Sequence, residues 1–280
     1  VNFMASTINR QSYLDLSDHY HYTRLPDLAK FVNLGFPYSK YADLGKAAVV
    51  LPQAPSHGEI QFMLNTMGLT AAATGYPAFN VTLLFPNMID LASNKNILLI
   101  GGNDRQPLAE KWKGYMAVNR NDAQEWQLRR LSLGERLALW WKGEKLQDLK
   151  SARRTVERNS KEFTGLTGFR SPLDNHHAVI MLISSSPEKL AELNDALSDP
   201  SRFSLIQGDL SILDDSGIQS FRTLPSYYVG TLPWYHQIRW YLSTHILALI
   251  ILTIIVMVIA AWILVRLLSR HAAERFTTGQ

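Results

Sequence analysis

The chain has 280 residues, 46% of them apolar, no cysteine, and a formal net charge of +4 from 28 Lys and Arg against 24 Asp and Glu. That length holds one domain of ordinary size with residues to spare, and so small a cationic excess makes no case for a nucleic-acid partner. The lack of cysteine suits an oxidising compartment, where a stray thiol is a liability.

Residues 1–45 show poor alternation, carry His19-Tyr20-His21-Tyr22, and are interrupted by Gly35, Pro37 and Gly45. They are expected as a linker or arm arriving from a preceding domain. Val1-Asn2-Phe3 is not a translation start, and Arg10 arrives before any apolar run, so no signal peptide is written here. The chain reads as the C-terminal piece of a longer precursor.

From residue 46 a strand–helix grammar begins. Ala47–Leu51 is a wholly apolar run, as expected of a strand covered on both faces. Ser56 stands three before Glu59, a capping box, and Ile60, Met63, Leu64, Met67 and Ala71 follow at helical spacing until Gly75 and Pro77. Phe79–Phe85 reads as the next strand and Asn96–Ile100 as another, closed by Gly101-Gly102. The middle, Gln106–Arg170, is more polar and more helical. There Ser132 and Glu135 form a second capping box, leading to Leu133, Leu137, Trp140 and Trp141 on one face. That face could be core or a patch awaiting a partner, and core is favoured. Arg129-Arg130 and Arg153-Arg154 are read as solvated helix faces. The grammar repeats with a strand at Ala178–Ile183, Ser186 and Pro187 opening a helix lined by Leu190, Leu193 and Leu197, a stop at Asp199-Pro200, and a strand at Phe203–Ile206. The pattern predicts an α/β domain over 46–232 with a mostly parallel sheet.

Residues 233–245 follow as an amphipathic helix. Trp234, Ile238, Tyr241 and Leu242 share a face, and His236, Gln237 and Arg239 lie off it. With Tyr235 and Trp240 added, the segment matches an interfacial helix lying along lipid headgroups. An ordinary helix packed on its own domain is the alternative.

Ile246–Val265 is twenty residues without a charge and with one hydroxyl, Thr253. At about 1.5 Å per residue it covers the roughly 30 Å core of a bilayer, and a transmembrane helix is assigned over 246–268. Small or polar positions in it, Ala248, Thr253, Ala260 and Ala261, are candidates for close helix contact. Arg266, Arg270 and Arg275 follow the span, while Arg239 and then Arg222 are the nearest fixed cations before it. That bias places the tail 269–280 in the cytoplasm and the bulk outside it, in the periplasm of a Gram-negative cell.

Catalytic signatures are sparse. The chain has no G-x-S-x-G, no G-x-G-x-x-G and no G-x-x-x-x-G-K-[ST]. Gly101-Gly102-Asn103-Asp104 follows a strand, where an α/β sheet would place a ligand crevice, but two glycines fit a tight turn. His19 with His21 and His176 with His177 lack the Cys or His-Glu-x-x-His context of a metal site. Asp209, Asp214 and Asp215 cluster in what reads as a loop. Neither a catalytic residue, a metal nor a cofactor is assigned.

Several stretches, in order, resemble a known family. They are Leu25-Pro26-Asp27-Leu28, Phe31-Val32-Asn33-Leu34-Gly35-Phe36-Pro37, Tyr41-Ala42-Asp43-Leu44, Val49-Val50-Leu51-Pro52, Thr74-Gly75-Tyr76-Pro77, Tyr228-Val229-Gly230 and Leu232-Pro233-Trp234. Together they resemble the periplasmic B subunit of bacterial cellulose synthase, also labelled a cyclic di-GMP-binding regulatory subunit. The resemblance implies a flavodoxin-like domain, the last of four periplasmic domains, followed by the interfacial helix and the anchor. It implies a non-catalytic subunit that packs its anchor and interfacial helix on the membrane-bound catalytic subunit and supports glucan synthesis and export. Further copies of the chain are possible partners, and the emerging glucan would be met mainly by domains absent here. Arg266 and Arg270 share the R-x-x-x-R spacing of the motif that recognises the activator on the catalytic subunit, yet sit where a span meets water, and the accompanying [DN]-x-S-x-x-G is absent. Their expected role is as positive-inside anchors, and no dinucleotide site is assigned. The rival readings are a membrane-tethered periplasmic enzyme acting on a glycan and a redox or nucleotide-binding module.

Overall fold

Short apolar runs that must hide both faces form the centre of the protein. In the computed structural model, which describes residues 20, 22–101, 105–121, 123–141 and 147–277, β2 (Ala47–Val50), β4 (Asn96–Ile100) and β8 (Ala178–Ser184) lie side by side and parallel. β3 (Thr82–Leu84) pairs parallel with β2 at one edge. On the other side β7 (Thr164–Arg170), β9 (Leu210–Asp214) and β10 (Gly217–Phe221) add antiparallel partners. The seven-stranded order is β10-β9-β7-β8-β4-β2-β3. Three of its six pairings are antiparallel, so the sheet is mixed rather than mostly parallel.

Alternation along each strand separates two cores, because successive side chains point to opposite faces. Ala48, Val50, Ile97, Leu99, Val179 and Met181 pack on one side against Trp112, Trp126, Phe163 and Phe169, and against Ala152 and Val156 of α5 (Gln147–Arg158). Ala47, Val49, Leu98, Ile100, Ile180 and Leu182 pack on the other. Their partners there are Leu28 and Phe31 of α1 (Leu28–Leu34), Phe62 of α2 (His57–Thr74), and Leu190, Leu193 and Leu197 of α6 (Pro187–Ser198).

The capping box of α2 forms as its spacing predicts. Ser56 Oγ accepts from Glu59 N, and Glu59 Oε2 accepts from Ser56 N at 2.7 Å. Its buried face is a different one, however: Phe62, Thr66, Met67 and Thr70 face inward while Leu64 is 60% exposed. This helix is apolar nearly all round, so hydrophobic spacing does not choose a face. Small threonines do, because α1 ends close by: a Cβ on Gly35 would lie 2.6 Å from Thr70 Cγ2.

Other expectations fail for identifiable reasons. Residues 22–45 are no arm. β1 (Tyr22–Leu25) pairs with β11 (Tyr227–Gly230), and Leu25, Leu28, Phe31, Tyr38 and Leu44 are buried. Tyr38 also donates to Ile97 O at 2.8 Å. β7 is unanticipated because its sequence, TGLTGFR, is poor in strand formers. Gly165 is required there, since a Cβ would stand 2.3 Å from Ser211 O on β9. The strand expected at Phe203–Ile206 is instead the end of α7 (Pro200–Phe203) and a turn. Asp199 Oδ1 accepts from Ser201 N and Oγ, so Asp-Pro here caps a new helix rather than only ending the old one. In α4 (Leu133–Trp141), Leu133, Leu137 and Trp140 are all more than 60% exposed, and Leu139 is the buried residue. The expected core face is therefore a surface; the Trp141 side chain lies outside the described residues.

The chain divides into two compact units, Thr23–Val229 and a second one containing Gly230–Gln280.

Candidate membrane and partner interface

The second unit is built from two helices. Pro233 opens α8 (Trp234–Thr244), and His245, at φ −119° and ψ 83°, separates it from α9 (Ile246–Thr277). Ala248–Leu268 is long and apolar enough to cross a membrane, and none of it is buried. Twenty-one residues at about 1.5 Å rise reach about 31 Å, the thickness of a hydrocarbon core. Helix continues past residue 268 to Thr277, where a separate tail was expected. The polarity changes at Arg266, but no Gly or Pro interrupts the backbone before Gly279.

On α8, Trp234, Tyr235 and Ile238 are half or more exposed and Tyr241 is 37% exposed, so the predicted apolar face is solvent-accessible in the isolated chain. Trp240 points elsewhere and meets Tyr22 edge to face at 5.7 Å. Tyr235 holds its phenol 3.5 Å from that of Tyr20. Arg239 does not lie apart from the apolar residues. At helical spacing, Tyr235, Ile238, Arg239, Leu242 and Ser243 form one stripe, and with Leu249 they line a groove of about 420 Å³ between α8 and the first turns of α9.

The small residues of the span form no single seam. At about 100° per residue, Thr253 and Ala260 fall on one side, Ala261 beside them and Ala248 nearly opposite. Thr253 Oγ1 donates to Leu249 O at 2.8 Å, which satisfies its hydroxyl within the helix. Arg266 stacks over the Trp262 ring at 5.0 Å, an arrangement that keeps a guanidinium beside an aromatic at the end of the apolar stretch. The side chains of Arg270 and Arg275 lie outside the described residues.

In the first unit, a ligand crevice of an α/β sheet would lie at the C-terminal ends of β2, β4 and β8. The seat for an anion at the α2 N-terminus is taken by the chain's own carboxylate. Glu59, 1% exposed, binds Ser56 N and Ser56 Oγ, and pairs with Arg105 at 3.2 Å. A phosphate bound there would have to displace it. Gly101, at φ 142°, packs against Gln106, whose Nε2 donates to Ile100 O. Residues 102–104 lie outside the described residues. The acids expected in one loop are dispersed in role. Asp209 is buried and accepts from Thr223 N, Thr223 Oγ1 and Leu224 N. Asp214 accepts from Ser216, and Asp215 pairs with Lys189 at 2.6 Å. The Asp174 carboxyl accepts from His176 N and lies 2.7 Å from His177 Nδ1, and the His176 N–H first, then the His177 ring, hold it below its usual range. His19 and His21 lie outside the described residues. Among the described residues no group of three or more metal-ligating side chains gathers. Capping-box spacing points to Glu59 and an acidic cluster to Asp209, but their partners Arg105 and Thr223-Leu224 lie too far along the chain for spacing to reveal.

Residues 21–182 match the family model described as "Cellulose synthase BcsB, second FD domain". The chain belongs to this BcsB family. BcsB-type relatives match over nearly its whole length. A protein named cyclic di-GMP-binding protein from Escherichia coli strain K12 is 32% identical, covering 96% of this chain and 34% of that protein. Proteins of the same name from Xanthomonas axonopodis pv. citri and Komagataeibacter xylinus are 30% and 28% identical, over 99% and 96% of this chain and 35% and 34% of theirs. The chain thus spans about a third of the length of these curated relatives.

Proposed function

We propose that the chain is the membrane-proximal part of a non-catalytic subunit of a bacterial cellulose synthase, anchored in the inner membrane with its α/β domain in the periplasm. One observation carries this reading: a fully unburied 21-residue apolar helix follows directly on an aromatic helix in a chain of the BcsB family. The strand order β3-β2-β4-β8, the second, first, third and fourth parallel strands of the chain, supports a flavodoxin-like domain. In this reading that domain extends back to about residue 22, α8 lies along the headgroups, and α9 spans the bilayer and packs on the catalytic subunit. Thr253 and Ala260 are the first choice for its contact face, and Arg266, Arg270 and Arg275 mark the cytoplasmic end.

The relatives' printed name attributes cyclic di-GMP binding to those proteins. On this chain we place no dinucleotide site, because Arg266 is engaged with Trp262 at the end of the span. A glycan-cleaving enzyme would need two carboxylates facing one another across a cleft about 5 to 10 Å wide, and Asp209, Asp214 and Asp215 are each tied to other partners. Deletion of residues 233–280 from the full-length protein tests the proposal. Glucan synthesis in isolated membranes should be abolished, and synthesis retained at the wild-type rate refutes it.

A further inference from the structure

We propose that the groove between α8 and α9 is a binding site for one anionic phospholipid, with Arg239 on the phosphate and Ile238, Leu242 and Leu249 against an acyl chain. The inference rests on α9 spanning the bilayer. The groove is open on one side and has a volume of about 420 Å³.

The lining combines opposites. Ile238, Leu242 and Leu249 are aliphatic and the lining is almost wholly apolar, while Arg239, an exposed side chain that also lines the groove, carries a permanent charge beside it. No Asp or Glu occurs anywhere from residue 216 to residue 273, and Arg239 makes no ion pair among the described residues. Ser243 Oγ is already used, donating to Trp240 O at 2.8 Å, so the guanidinium is the polar group of the lining left to meet an anion. Position supplies the rest of the argument. Leu249 is the second residue of the span Ala248–Leu268, so a groove reaching from Leu249 to Arg239 crosses the boundary between hydrocarbon and headgroups. A lipid phosphate lies just outside that boundary, its chains just inside. A planar guanidinium takes a phosphate through two parallel N–H···O bonds, and a net-negative headgroup brings no ammonium of its own to compete for it.

Native mass spectrometry of the full chain in mild detergent, offered phosphatidylglycerol and phosphatidylcholine in equal amounts, tests this. Wild type should retain phosphatidylglycerol several-fold over phosphatidylcholine. Arg239→Gln should lower its retention about tenfold, the loss of one charge-assisted contact, and Arg239→Lys should keep part of the preference. Inorganic phosphate at millimolar concentration should not compete, since it has no chain to bury; competition would assign the site to free phosphate and overturn the lipid. An unchanged preference in Arg239→Gln overturns the site. The same result with lost co-purification of the catalytic subunit would make the groove a protein dock instead. Flotation with phosphatidylcholine vesicles separates the two levels. A chain that does not float refutes the anchor, and one that floats without lipid preference refutes only the site.

Discussion

Asp209 is fully buried just before β9, where the chain enters the antiparallel half of the sheet. Burial pushes its carboxyl up to about 7, and it prevails over the Thr223 and Leu224 donors and the nearby Arg222 charge, which all favour the anion. An acid whose folded pKa exceeds its unfolded value holds its proton more tightly when folded. Stability from this group is therefore complete below about pH 4, declines as pH rises, and is lost above about pH 7. A rise from 3.8 to about 7 corresponds to about 4 kcal/mol at roughly 1.36 kcal/mol per unit. Asp209→Asn removes the ionisation but leaves one of the two backbone N–H donors, on Thr223 or Leu224, without an acceptor, at about 1 to 3 kcal/mol. The variant should thus be less stable than wild type at pH 4 and should gain on it by about 4 kcal/mol by pH 8. Chemical denaturation of the full chain in a nonionic detergent, followed by tryptophan fluorescence at each pH, measures the difference. Exposed acids with lowered pKa values, such as Asp43, Asp199 and Asp215, are common to both proteins and cancel. A wild-type-minus-variant difference that stays constant from pH 4 to pH 8 would refute the reasoning.

Two further outcomes follow from burial alone. Glu59→Ala strips the α2 N-terminus of its carboxylate and leaves Arg105 unpaired, at about 2 to 3 kcal/mol, whereas Ser56→Ala costs about 1 kcal/mol. Equal midpoint shifts in denaturation would show that Glu59 acts only as a cap. Trp140→Gln, on the exposed face of α4, should change stability by less than about 0.5 kcal/mol, and a loss above about 2 kcal/mol would return that residue to the core.

Local rules made much of the first unit legible. The runs at Ala47 and Asn96 are apolar on both faces, so they are strands wherever they pack. The Ser56–Glu59 box and the Ser186-Pro187 start announce helices through bonds within four residues. What escaped depends on distant neighbours. Gly165 weakens the strand signal of β7 for the sake of the Ser211 carbonyl, 46 positions away. Likewise, the burial of Thr70 on α2, while Leu64 is exposed, goes with its close approach to Gly35 at the end of α1, 35 positions away.

By itself, the sequence determined that a segment near the C-terminus matches the bilayer in length and polarity, since a hydrocarbon core asks only for a sufficient uninterrupted apolar run. It also determined that an aromatic helix precedes that segment. Tertiary structure decided which side chains these helices bring together. Arg239 looks like a polar outlier along the chain, and it comes to line an apolar groove only where α8 and the first turn of α9 meet. Asp209 looks like one acid among three, and becomes a buried titrating group only when β9 and the Thr223–Leu224 turn close around it. For Asp209 the deciding quantity is solvation, which is set by residues that meet only when the chain has folded.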